Sequence, residues 1–263
     1  MSAALPGGTV TFVFTDIEGS TELLKRLGDG YAGLVAEHRR IVRDEFGSRG
    51  GQEVDTQGDA FFFCFASARD AVAAAVAAQR ALAETAWPGG SELRVRMSLH
   101  TGEPVVGEEG YVGIDVVRAA RICAAGHGGQ VLLSATTAGL VAGRLPEGVA
   151  EVDLGAHRLK DIDEPERVYQ LEIDGLPARF PPLRTHGEEP LDFSARLEQR
   201  IQDEVEQIVE QALGGRPDGA PPAGDRPEKL AKLAGVGLLV AFFSVLVLAG
   251  IVVVVALVVR MLL

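Results

Sequence analysis

Near the N-terminus comes a run dominated by β-branched and aromatic residues, Val10-Thr11-Phe12-Val13-Phe14-Thr15. It then turns acidic at Asp16 and Glu18. Such a run has the composition of a buried strand. Gly19, Ser20 and Thr21 open a helical pattern, with Ser20 or Thr21 as the expected N-cap. The pattern from Thr21 to Phe46 is helical and broken near Gly28-Asp29-Gly30, and Leu34, His38, Ile41 and Val42 fall near one face, as in a helix lying on a sheet. After a turn at Gly47 to Gly51, the stretch Val54 to Phe63 predicts a hairpin with Gly58-Asp59 at its tip. Ser67 to Trp87 is Ala-rich and free of Gly and Pro, so a helix is expected there, ended by Pro88-Gly89-Gly90.

Leu93 to Leu99 alternates apolar and polar residues and predicts a half-buried strand. Thr101-Gly102-Glu103-Pro104 is a turn into Val105-Val106. Val112 to Ala125 predicts a helix closed by Gly126, Gln130 to Leu133 a short strand, and Ser134 the cap of a short helix. Strands are expected near Val149 to Leu154 and Arg167 to Ile173. Mixed elements of this kind indicate an α/β (α+β) domain over residues 1–174, a sheet with helices packed on it.

Beyond that domain the pattern changes. Gly175 to Pro190 holds four prolines and two glycines and is expected to be a linker, 175–190. In 191–213, Leu197, Ile201, Val205, Ile208 and Ala212 form a narrow apolar seam on a charged helix. It fits a short two-stranded coiled coil or a helix lying on the domain. Residues 214–232 read as a flexible tether. Leu233 to Val259 carries no charge and is long enough to span a bilayer, which takes about 20 apolar residues. Arg226, Lys229 and Lys232 precede it and Arg260 alone follows, so the domain is expected in the cytoplasm, on a single-pass anchor in the cell membrane.

Composition narrows the function. Among 263 residues the formal net charge is -12, and no Lys/Arg cluster offers a footprint for nucleic acid. Met1 to Gly8 lacks the basic and apolar regions of a signal peptide. Cys64 and Cys123 lie in apolar surroundings and fit reduced core thiols. His38 and His100 read as packing residues and His127 as a turn residue. No Cys/His spacing suggests zinc. The chemistry points instead to Asp16, a carboxylate at a strand end beside a helix N-terminus. Oxygen ligands suit Mg²⁺, and free helix N–H groups suit phosphate. Asp59 offers a second carboxylate.

Several stretches fall into one ordered pattern: Phe14-Thr15-Asp16-Ile17-Glu18-Gly19-Ser20-Thr21, Thr56-Gln57-Gly58-Asp59-Ala60-Phe61, Arg96-Met97-Ser98-Leu99-His100-Thr101-Gly102, Ala119-Ala120-Arg121, and Leu159-Lys160 followed by Pro165 and Tyr169. Together they resemble the class III nucleotidyl cyclase catalytic domain, the adenylate and guanylate cyclase family, in its actinobacterial Asp-Ile-Glu-Gly-Ser-Thr form. The resemblance covers about Thr9 to Ile173.

The resemblance implies a ferredoxin-like core and a head-to-tail homodimer with shared active sites. It also implies conversion of a nucleoside triphosphate to a 3′,5′-cyclic nucleotide and pyrophosphate. It assigns two Mg²⁺ or Mn²⁺ ions per site to Asp16 and Asp59, with the Ile17 carbonyl as a further ligand. The backbone from Ile17 through Glu18, Gly19, Ser20 and Thr21 would receive the triphosphate. Arg121 of the partner would offset charge on the α-phosphate, and Lys160 would contact phosphates.

The departures from the family pattern are at the base and the ribose. Asp55 stands where a purine-reading lysine is expected. Gly110 stands in place of that lysine's acidic or threonine partner, and Val117 in place of a ribose-orienting asparagine. An ionised carboxylate accepts hydrogen bonds where lysine donates. Asp55 is therefore expected to favour an exocyclic amino group, as on adenine or cytosine, over a keto group, with ATP the expected substrate. Three readings stay open from the residues: a cyclase using ATP, a cyclase using another base such as a pyrimidine, and a catalytically silent dimeric module that regulates or binds nucleotide.

Overall fold

The computed structural model describes residues 5–107 and 110–185. The expected seam helix at 191–213, tether at 214–232 and membrane span at 233–259 lie outside them. Among the described residues, no helix is long and apolar enough to cross a membrane.

Nine strands and five helices make up the described chain: β1 (Val10–Ile17), α1 (Ser20–Leu27), α2 (Gly30–Gly47), β2 (Gln52–Gln57), β3 (Ala60–Phe65), α3 (Ala68–Glu84), β4 (Val95–Gly102), β5 (Val105–Gly107), β6 (Gly110–Val112), α4 (Ile114–Ala125), β7 (Val131–Ser134), α5 (Ala135–Val141), β8 (Val149–His157) and β9 (Glu166–Ile173). Seven strands form one mixed sheet in the order β2-β3-β1-β4-β7-β9-β8, while β5 and β6 pair separately. Among the described residues only the β4–β7 pairing is parallel.

Side chains alternate across a strand, so each strand feeds two cores. Val13 and Ile17 of β1 join Phe61, Phe63, Met97, Leu99, Val131 and Leu133 in the core that also takes Leu34 and Val42 of α2 and Val72 and Leu82 of α3. The other face is covered by α4, where Ile122 and Ala125 pack with Leu132, Leu159 and Val168. Phe12, Phe14, Phe62 and Tyr111 form an aromatic cluster, with Phe14 stacked on Phe62 at 4.4 Å between ring centroids.

Two local expectations are corrected. The cap of α1 is Gly19, at φ 69 and ψ 28, and no side chain caps the helix. Ser20 and Thr21 lie inside the first turn. A left-handed residue suits glycine there, and it leaves the Ser20 hydroxyl for other partners. The strand expected to be half-buried is the central β4, which runs on to Gly102 and is almost wholly buried. Its polar alternation does not face water because α4 covers that side. Ser98 Oγ donates to the Ala119 carbonyl at 2.8 Å, and Thr101 shares hydroxyl hydrogen bonds with Thr11 and Thr137.

Other expectations match. Ser67 and Ser134 cap α3 and α5 through side-chain oxygens. Gly58 has φ 58 at the tip of the β2–β3 hairpin. Cys64 and Cys123 are buried free thiols. His38 is fully buried against Phe61, and neither ring nitrogen has a hydrogen-bond partner.

Candidate active site

The C-terminal end of β1 and the tip of the β2–β3 hairpin meet. β1 and β3 are antiparallel neighbours with Thr15 opposite Phe61, so the hairpin tip reaches the end of β1. Asp59 Oδ2 accepts from the Ile17 backbone N–H at 3.2 Å. Burial and the nearby Asp16 charge push the Asp59 carboxyl up to about 6. The Ser20 hydroxyl bonds Asp59 as well, and Tyr31 stands beside the same pair of carboxylates. Two carboxylates held in one buried corner repel each other. Two carboxylates suit a hard divalent cation, and among the described residues no group of three or more His, Cys, Asp or Glu gathers to hold a metal.

Asp16 has a resident partner that the sequence reading did not single out. Arg96 lies directly opposite it on β4. Its Nη2 and Nε donate to Asp16 Oδ2 at 2.7 and 3.0 Å. Both side chains are almost buried, at 11% and 13% exposure. Burial raises the Asp16 carboxyl, against the opposing pull of Arg96. Antiparallel pairing of two like-facing polar positions was the available signal; it needed the register of β4 against β1.

The remaining candidates fall into separate places. Arg121 is on α4 with 3% exposure and donates from Nη2 to Asp161 Oδ2 at 2.5 Å. Lys160, the neighbour of Asp161, is exposed in the loop between β8 and β9. Asp161 has φ 57, the one positive φ outside glycine among the described residues. Asp55 sits at a bulge of β2, where its carboxylate accepts from the Thr56 backbone N–H at 2.8 Å and from Gln57 Nε2 at 3.2 Å. Gly110 has φ 138, and a Cβ there would meet Val54 at 3.3 Å. Val117 packs beside the α4 core cluster.

Glu18 pairs with arginines of other segments. Arg184 Nη2 donates to its Oε1 at 2.7 Å, and Arg94 lies 3.8 Å from its Oε2. Burial works to raise its carboxyl, but Arg184, the Gly128 N–H and Arg94 together hold it low. A cleft of about 740 Å³ lies beside it, lined by α1 and residues 177–184. Neither Asp16 nor Asp59 lines that cleft. His127, in the turn before β7, places Nε2 3.0 Å from the Pro182 carbonyl, and His100 Nε2 lies 3.1 Å from Asp115.

Comparison with known proteins gives a consistent result. The family model described as adenylate and guanylate cyclase catalytic domain matches residues 3–172. An uncharacterized protein of Mycobacterium tuberculosis is 40% identical over 187 residues, 70% of this chain. The match spans 63% of that relative's length. An adenylate cyclase of Podospora anserina is 27% identical over 239 residues, covering 70% of this chain and 11% of that protein. Among solved structures, a Trypanosoma brucei adenylate cyclase in its monomeric state superposes with a TM-score of 0.63 at 28% identity, over 71% of this chain and 98% of that one.

Proposed function

Because the chain belongs to the adenylate and guanylate cyclase catalytic domain family, we propose that it is a class III nucleotidyl cyclase acting on ATP. The observation that carries this reading is the corner in which Asp16 and Asp59 converge at the end of β1. Two Mg²⁺ or Mn²⁺ ions held by Asp16, Asp59 and the Ile17 carbonyl would supply Lewis acidity at the ribose 3′-hydroxyl and at the departing pyrophosphate. The 3′-oxygen forms a bond to the α-phosphorus as its proton leaves to solvent. The bond from that phosphorus to the bridging oxygen breaks, and pyrophosphate departs.

The chain's own groups divide the work. Ser20 and the Ile17 N–H hold Asp59 in place. Backbone N–H groups at the start of α1 receive phosphate oxygens. Arg121, contributed across a homodimer interface, offsets charge that grows on the α-phosphate, an effect worth several kcal/mol of barrier when preorganised. Asp161 must yield Arg121 for that. Lys160, exposed beside it, is free to approach the phosphates.

ATP is the assigned substrate because relatives named adenylate cyclases match the chain. Asp55 supports this less than its position suggests. Its carboxylate is engaged by Thr56 and Gln57 of its own strand. Guanine also offers an amino group, with an adjacent N–H, so GTP is the competitor to measure along with the pyrimidine nucleotides. A silent regulatory module is the second reading, favoured by Gly110 and Val117, which offer no polar side chain where base and ribose contacts are expected. The apolar stretch 233–259 is assigned as a single-pass membrane anchor with the catalytic domain in the cytoplasm, which membrane fractionation tests directly.

The test is incubation of the full chain with Mn²⁺ and each of the four nucleoside triphosphates, with products identified by mass spectrometry. Cyclic AMP from ATP supports the assignment, and a dominant cyclic GMP, CMP or UMP moves the substrate. No cyclic product from any nucleotide leaves the silent module as the reading.

A further inference from the structure

The match to the family model ends at residue 172, but the folded domain does not. Residues 177–184 carry the Pro-rich composition of a linker, and yet they lie fastened along the domain. Gln170 Nε2 of β9 donates to the Ala178 carbonyl at 2.8 Å. The Phe180 ring passes over Gly129, 3.8 Å from where a Cβ would stand. Leu183 packs into the cluster of Ile122, Leu132 and Val168. The Arg184 backbone N–H donates to the Ala125 carbonyl at 2.9 Å, at the C-terminal end of α4.

The segment's last fastening is at Glu18. The Arg184 guanidinium donates from Nη2 to Glu18 Oε1 at 2.7 Å and from Nη1 to the Gly126 carbonyl at 3.4 Å. The pocket that takes the Glu18 carboxylate is built for it. A Cβ on Gly128 would lie 2.6 Å from the Arg94 Cβ and 2.8 Å from the Glu18 Cβ, so only glycine lets the loop come this close.

We propose that residues 177–184 are a strap belonging to the catalytic unit, and that Arg184 is a positioning residue that pins Glu18 and keeps its carboxylate off the triphosphate. The proposal rests on reading Glu18 to Thr21 as the phosphate-receiving loop. Glu18 lies in that loop, one residue before the Gly19 cap of α1. A nucleoside triphosphate brings about four negative charges to it, and an unpaired carboxylate at such range repels them strongly in a partly buried site. Arg184 neutralises that carboxylate through the 2.7 Å contact and ties it to the strap. The strap also grips the end of α4, the helix that bears Arg121, so both halves of the site are tied to one segment.

The test uses the full chain with four variants: Arg184→Ala, Arg184→Lys, Glu18→Gln, and Glu18→Gln with Arg184→Ala. Two readouts are taken, hydrogen exchange of the peptides covering residues 17–23 and 176–185, and kcat and KM for ATP with Mn²⁺. Arg184→Ala is expected to speed exchange in both peptides at least tenfold and to raise KM about tenfold with kcat within twofold. Adding Glu18→Gln should return KM to within twofold of wild type while exchange stays fast, because the charge and not the packing carries the effect. Arg184→Lys should keep most of the wild-type KM. Unchanged exchange in Arg184→Ala overturns the strap. Faster exchange with an unchanged KM, or a raised KM that Glu18→Gln does not rescue, overturns the role of Arg184 in protecting the phosphates. A wild-type chain that cyclises no nucleotide defeats the cyclase reading instead, and the strap is then decided by the exchange arm.

Discussion

Asp16 and Arg96 stand opposite each other across the β1–β4 ladder, and the guanidinium grips one carboxylate oxygen through two nitrogens at 2.7 and 3.0 Å. The carboxylate proposed to hold the metal is therefore already paired with a guanidinium. Breaking a largely buried pair leaves an uncompensated charge and costs about 3 kcal/mol. Arg96→Ala is expected to lower stability by about that amount in urea unfolding. A divalent cation should then replace the missing partner. Added Mn²⁺ should raise the melting temperature of Arg96→Ala more than that of wild type. Equal Mn²⁺ shifts in both would place the metal away from Asp16.

His38 sets an acid limit on stability. Burial, helped by the Arg39 charge, lowers its ring to about 4 from the ordinary 6.5. The folded state keeps the ring neutral where the unfolded chain takes up a proton. The stabilisation is thus complete above pH 6.5 and is lost as pH falls from 6.5 toward 4. At about 1.4 kcal/mol per pH unit the loss comes to roughly 3 kcal/mol. His38→Phe should flatten the fall in urea-unfolding stability between pH 7 and 5 relative to wild type; parallel curves would rule out this source.

Gly128 is where two segments come closest. An alanine Cβ there would meet both Arg94 and Glu18 inside 3 Å. Overpacking of this kind costs about 1–3 kcal/mol. Gly128→Ala should lower the thermal midpoint measurably, whereas Gly139→Ala, where a Cβ meets nothing, should not.

Shared sites predict complementation. Mixed Asp59→Ala and Arg121→Ala chains should recover activity, because one interface of the heterodimer regains every part. Inactive mixtures with confirmed heterodimers would argue for a site within one chain.

Much of this was legible in the residues. The buried run from Val10 fixes β1, and Gly58-Asp59 between apolar strands marks a hairpin, so two carboxylates at neighbouring strand ends could be read. The Arg96 partner could not, because polar alternation in β4 reads as a solvent face until α4 is known to cover it. Its place in the motif points Asp55 toward the base, but the bulge in β2 and the short reach of an aspartate tie it to its own strand. The strap was hidden by its prolines. These suit an extended segment without secondary structure, whether loose or fastened, and only Phe180, Leu183 and Arg184 hint at the fastening.

The central claim is that Asp16 and Asp59 together support cyclisation. The most direct measurement is the rate of cyclic nucleotide formation by full-length wild type, Asp16→Ala and Asp59→Ala at saturating ATP and Mn²⁺, with circular dichroism to confirm folding. The account predicts cyclic AMP from wild type and a loss of at least a hundredfold in each folded variant, since removing a bridging carboxylate removes the metal's site. Wild-type rates in both variants would contradict it.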